Sequence, residues 1–151
     1  MAKQRKTVTH AFSGSPTLEH ASMLIQEYTV KLRAMCRRIR DVRNQYYSAR
    51  EKRIKQSPAN QHNFNNLPPQ EMQLWLEILE GFRSQHDEYV KYLRSLFPQA
   101  RKLAQHVSQL ITHDPQQTIV KIELSLRVAE LESAIETAHT LSAVNISFHP
   151  N

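Results

Sequence analysis

The fold is decided by residues 18–49, LEHASMLIQEYTVKLRAMCRRIRDVRNQYYSA, in which apolar side chains recur at alternating steps of three and four residues. Such spacing, sustained for more than four heptads, is typical of a helix that packs along a coiled-coil seam. Ser15-Pro16 supplies a start signal and Ser57-Pro58 a stop, so the predicted helix has about 40 residues and a length of about 60 Å. Its seam is Leu18, Ala21, Ile25, Tyr28, Leu32, Met35, Ile39, Val42, Tyr46 and Ala49.

The same spacing predicts two further helices, one long and one shorter. It passes through Pro98 without a change of phase, which predicts that the second helix is kinked there; the alternative is that Pro98 opens a separate helix. The second seam is Met72, Trp75, Leu79, Phe82, His86, Tyr89, Leu93, Leu96, Ala100, Leu103, Val107 and Leu110. The third helix follows Asp114-Pro115, with the seam Val120, Leu124, Val128, Leu131, Ile135, Ala138 and Leu141, widened by Ile119, Ile122, Leu126 and Ala129.

These patterns predict an all-α protein, an elongated antiparallel three-helix coiled-coil bundle of two long helices and one shorter helix. Residues 1–14 are expected to be a flexible basic arm, residues 15–142 a single helical domain and residues 143–151 a C-terminal tail without helical period. Because the third helix is short, part of the seam between the other two lacks a third partner. We expect that seam to form a two-helix stalk, or to be covered by a protein partner or by a second copy in a homo-oligomer.

The composition excludes several classes of protein. The chain has two glycines, too few for a turn-rich β fold or a glycine-built phosphate loop. Cys36 is the single cysteine, so no internal disulfide can form, and a reducing compartment, the cytoplasm, is expected. No run approaches the ~20 apolar residues of a transmembrane helix. A membrane-surface helix is disfavoured because the first seam is narrow and includes alanines.

The charge distribution provides the main functional signal. Residues 1–55 hold 13 of the 20 Lys and Arg residues and four acidic residues, while the net charge of the whole chain is +6. At 100° per residue, Arg33, Arg37, Arg40 and Lys55 fall within about 60° of one another, opposite the seam. The predicted nucleic-acid or polyanion-binding set is Lys31, Arg33, Arg37, Arg38, Arg40, Arg43, Arg50, Lys52 and Lys55. The alternative is a solvated outer face, partly neutralised by acidic protein.

Three aromatic residues at seam positions of the second helix, Trp75, Phe82 and Tyr89, are candidate protein-interaction residues. Core packing is the alternative for all three. His86, also at a seam position, is expected to be hydrogen-bonded inside or at the edge of the packing; the alternatives are a ligand and a pH switch.

The sequence therefore predicts a non-enzymatic helical binding protein whose basic ridge engages nucleic acid or another polyanion. The rival function is that of a protein-protein adaptor, a chaperone or a stalk subunit of a larger assembly with no nucleic-acid role. No nucleophile-base pair and no metal-ligand spacing stands out, so we expect neither catalytic residues nor a metal or other cofactor.

Overall fold

A computed structural model of the chain describes residues 15–113, 119–144 and 146–150. Within these ranges it contains three α-helices and no strand: α1 (Ser15–Gln56), α2 (Pro69–His113) and α3 (Ile119–Ala143). The prediction of two long helices and one shorter helix is confirmed. The basic arm at residues 1–14 and the Asp114-Pro115 start signal lie outside the described residues.

The direction of the helices follows from contacts between them. Tyr28 Oη donates to Gln99 Oε1 over 2.7 Å, and further along α1 the guanidinium of Arg53 lies 5.3 Å from the ring centroid of Trp75. Residue numbers therefore rise along α1 as they fall along α2, so the two helices are antiparallel. Arg33 lies 4.0 Å from Glu130 of α3, and Arg43 contacts the end of that helix, so α3 runs parallel to α1.

A loop connects α1 to α2. It contains two short 3-10 turns, Ala59–Gln61 and Phe64–Asn66. The side chain of Asn63 accepts a hydrogen bond from the backbone N–H of Asn65 over 3.0 Å, which is how asparagine stabilises turns in competition with helix.

Pro98 lies inside α2, which continues without a break from Pro69 to His113. The alternative that Pro98 opens a separate helix is therefore wrong. The seam keeps its phase across this point, since Leu96 and Ala100 on either side are both buried while Pro98 is exposed. Burial of one face thus outweighs the loss of one helix hydrogen bond, a cost of about 3 kcal/mol.

The main core lies where all three helices meet and is mostly aliphatic. Its largest fully buried side chains are Ile25, Leu32, Ile39, Leu93, Val107, Leu124 and Leu131. Burying each of these contributes about 1.5–3 kcal/mol relative to leaving it exposed. Five of these seven side chains belong to the predicted seams of α1 and α2, and the other two belong to the seam of α3.

The first turns of α3 differ from the predicted seam. Val120 is half exposed, and Ile119, Ile122 and Leu126, which were expected to widen the buried face, are more than half exposed. Lys121 is buried instead. The later seam residues Leu124, Val128, Leu131, Ile135 and Ala138 are buried as predicted. The first buried position is Lys121 in place of Val120, and one residue rotates a helical side chain by about 100°.

The seam beyond the end of α3 is covered in part by the chain itself. Residues 146–150, hereafter the C-terminal segment, lie against α1 and α2, and Phe148 forms a second buried cluster with Tyr46, Trp75 and Leu79. This corrects the expectation of a two-helix stalk or of cover by another chain: at these positions the chain itself covers the seam. None of the helices described has the apolar run required to cross a membrane.

Candidate functional site

A groove of about 390 Å³ lies between α1 and α3 and is lined by basic side chains. Arg33, Arg37 and Arg40, hereafter the arginine ridge, stand along its α1 side and are exposed. They share one side of α1 because steps of four and three residues bring helical side chains back to nearly the same direction. On the α3 side the groove is lined by the small residues Ser133, Ala134 and Thr137, which leave room for a ligand.

The charges of the arginine ridge are only weakly neutralised. Arg33 lies 4.0 Å from Glu130, and both side chains are more than half exposed, so this ion pair contributes little. Neither Arg37 nor Arg40 has a carboxylate oxygen within 4.0 Å among the described residues. Their guanidinium groups are therefore available to an anion.

Cys36 closes the floor of this groove and is buried. Burial raises the pKa of its thiol, and the nearby Arg40 opposes that rise only partly. A thiol whose pKa is raised holds little thiolate and is a poor nucleophile. Cys36 therefore fits a packing role better than a chemical one.

Other basic residues of the predicted set lie outside the groove. Lys31 pairs with Glu27 over 3.3 Å, and Lys55 pairs with Glu51 over 2.9 Å, an interaction that lowers the pKa of Glu51. The remaining members are Arg38, whose guanidinium lies 6.0 Å from the ring centroid of Tyr89, the half-buried Arg50, and Lys52 near the far end of α1. These residues add to the positive field of α1 without forming one site.

Arg43 is the exception in the predicted set, because its side chain is only 7% exposed. Its Nε donates to His86 Nε2 over 3.1 Å, and its Nη2 donates to the carbonyls of Leu141 and Val144 at 3.0 and 3.3 Å. Burial, together with the positive charge of Arg40, lowers the pKa of Arg43, while Tyr47 opposes this. We therefore remove Arg43 from the exposed polyanion-binding surface: it holds α1, α2 and the end of α3 together.

The three candidate protein-interaction aromatics face inward. Trp75 is buried, Phe82 packs against Tyr46 with ring centroids 6.3 Å apart, and Tyr89 packs against the main core. Trp75 Nε1 donates to the carbonyl of Pro150 over 2.8 Å. At Trp75, the aromatic surface is therefore occupied by the C-terminal segment.

Phe148 is the residue whose role the sequence did not reveal. It belongs to a segment without helical or strand period, so no pattern assigns it a buried face. The available signal was indirect. The aromatic part of the α2 seam lies beyond the reach of the short third helix, and Phe148 is the only Phe, Tyr or Trp after α3.

A second exposed feature lies on the faces of α1 and α3 that border the groove. Val30 is within roughly 20° of Arg37 around α1 and is mostly exposed, as is Met23 one heptad before it. On α3, the exposed Ile119, Ile122 and Leu126 lie within about 40° of Ser133. These exposed apolar side chains thus lie on the same faces as the groove, toward the N-terminal ends of α1 and α3 and outside the groove itself.

Among the residues that the structure describes, no group of three or more His, Cys, Asp or Glu side chains is placed to hold a metal ion. Comparison with known protein families finds no match to this chain. Curated protein sequences give no match either. The comparison with solved structures found no match.

Proposed function

We propose that this protein binds a polyanion in the groove between α1 and α3, and that its ligand is the phosphate backbone of a nucleic acid. The observation that carries the proposal is the arginine ridge: three exposed guanidinium groups on one face, with Glu130 the only carboxylate within 4.0 Å of any of them among the described residues. Arginine suits this ligand because its planar group can form two hydrogen bonds to one phosphate.

The proposed mode of binding is electrostatic and independent of base sequence. The ridge extends over about 10 Å of helix axis, a length over which duplex DNA carries about six phosphates. Of the three tyrosines on α1, Tyr46 is buried, Tyr28 is half-buried and only Tyr47 is exposed, so few rings are available for base stacking. Binding would release counterions, and affinity would fall steeply as salt rises.

Fluorescence anisotropy of a labelled duplex at two salt concentrations tests this proposal. The variant R33E/R37E/R40E is expected to lose binding at low salt while keeping its helical circular dichroism. The matched control is K91E/R101E/K102E, which makes the same change of net charge at exposed positions of α2. Equal loss in both variants, or unchanged affinity in the first, would contradict a site at the ridge.

A role as a protein-protein adaptor is the second candidate, and the exposed side chains of Ile119, Ile122 and Leu126 favour it. Self-association through this surface predicts that the sedimentation coefficient rises with protein concentration and that L126E removes the rise. A monomer at every concentration would contradict self-association. Under either function we place the protein in the cytoplasm, a compartment that suits its single buried thiol.

A further inference from the structure

The cleft between α1 and α2 beyond the end of α3, hereafter the distal cleft, already holds a peptide. Arg43 lies beside the end of α3, and α1 continues for 13 residues beyond it, about 20 Å of helix. The C-terminal segment lies along this stretch without forming helix or strand. An extended stretch of five residues covers about 16 Å, so the segment spans most of the distance that α3 leaves open.

The polar contacts of the segment are made through its backbone. Tyr46 Oη donates to the carbonyl of His149 over 3.0 Å, and Trp75 Nε1 and Arg53 Nη2 donate to that of Pro150 over 2.8 and 3.2 Å. Arg83 Nη2 lies 3.4 Å from the carbonyl of Phe148. Every chain offers such carbonyls, so these four side chains can hold other sequences in the same way.

One side chain of the segment is deeply anchored. Phe148 is 3% exposed, and its ring stands edge-on to two rings of the cleft, with centroids 4.9 Å from Tyr46 and 5.1 Å from His86. Ile146 packs at the edge of the same cluster and is half-buried. An aromatic pocket with side-chain donors aimed at backbone carbonyls is a pattern of peptide recognition.

We propose that the distal cleft is a peptide-docking site, and that the C-terminal segment is the occupant the chain supplies to itself. The partner it fits is an extended segment of another protein with a phenylalanine anchor two residues before a proline. A short tethered segment without internal structure detaches at a smaller cost than global unfolding. A partner can therefore take its place while α1, α2 and α3 stay packed.

The tether sets the conditions of this exchange. A segment attached to the end of α3 competes at an effective concentration of about millimolar. The apparent affinity for a partner peptide equals its affinity for the open cleft multiplied by the fraction of time that the cleft is free. Weakening the cis segment should therefore strengthen binding in trans, a result that a purely structural role for the tail would not produce.

The single tryptophan allows a direct test, because Trp75 contacts the segment. In the full chain carrying Phe148→Ala, we expect Trp75 emission to shift to the red while the far-ultraviolet circular dichroism stays helical. Adding the peptide VNISFHP, which is residues 144–150, should reverse the shift saturably. The control peptide VNISAHP should not. A fluorescently labelled copy of the first peptide, followed by anisotropy, should bind wild-type protein about tenfold more weakly than F148A, because the attached segment competes for the cleft.

Three outcomes would overturn the proposal: unchanged emission in F148A, no reversal by the first peptide, or equal reversal by both peptides. Phe148→Leu keeps an apolar side chain and provides the same comparison should F148A lose its helical signal. The distal cleft includes no residue of the arginine ridge, so its test and the duplex-binding test fail or succeed independently.

Discussion

The half of α1 that α3 covers and the half that the C-terminal segment covers differ in what fills the space against α2. In the first half, hereafter the proximal half, aliphatic side chains such as Ile25, Leu93 and Leu131 pack with almost no exposure. In the second, the distal half, aromatic rings and guanidinium groups meet backbone carbonyls. A helix satisfies its own backbone, whereas an extended segment needs donors from its neighbours. The distal half therefore depends on individual hydrogen bonds as well as on the buried ring of Phe148, and the proximal half depends on apolar burial.

The largest effect is expected in the proximal half. Leu131→Ala removes a fully buried side chain from the three-helix core and should lower the free energy of unfolding by about 2–5 kcal/mol. Leu126→Ala on the same helix, at a position 62% exposed, should change it by less than about 0.5 kcal/mol. Urea unfolding followed by circular dichroism measures both. Similar losses in the two variants would mean that this helix is not packed as described.

An intermediate effect is expected at the boundary between the two halves. Arg43→Ala leaves His86 Nε2 and two carbonyls at the end of α3 without their donor, at a cost of about 2–3 kcal/mol. Arg40→Ala, three residues away and exposed, should cost less than about 0.5 kcal/mol. Urea unfolding with Trp75 emission as the signal compares them. If Arg40→Ala costs as much as Arg43→Ala, the buried network does not hold the distal half.

The two halves also differ in how well the sequence predicts them. The proximal core could be predicted because its pattern is periodic and long, so that the directions of Leu32 and Leu93 follow from helical geometry alone. The burial of Arg43 could not, since it depends on where α3 ends and on carbonyls about 100 positions away in the chain. Within the candidate site, the exposure of Arg33, Arg37 and Arg40 follows from their position opposite the seam.

The C-terminal segment shows the limit of such prediction in physical terms. Its docking depends on Phe148 and on carbonyls that every residue carries, so neither hydropathy nor periodicity distinguishes it from a free tail. The shift of one residue at the start of α3 has a similar origin, because Val120 and Lys121 differ by only one step in the pattern. Which of them is buried is decided by packing with the other helices.

The smallest effect is expected from the protonation of His86, in the distal half. Its Nδ1 lies 3.3 Å from Asp87 Oδ1 and donates to it, so Nε2 is left to accept from Arg43, a group that can only donate. The side chain of Asp87 is exposed, and the ring of Phe148 faces His86 from the C-terminal segment. Burial lowers the pKa of His86 from its ordinary value of 6.5; Arg43 adds to this, and Asp87 opposes it.

A lowered pKa means that the folded protein binds the proton less well than the unfolded chain does. The stability that neutral His86 contributes is therefore fully present above pH 6.5 and is lost as the pH falls through the folded-state pKa. We expect Tm to fall and Trp75 emission to shift to the red as the pH falls below about 6.5. The effect should be smaller than that of Arg43→Ala, because the protonated side chain still fills its place.

His86→Gln, whose amide oxygen can accept from Arg43 without titrating, should flatten both profiles. The same slopes in this variant and in the wild type would assign the pH dependence to other histidines. The charge state of His86 would then have no effect on the stability of the distal half.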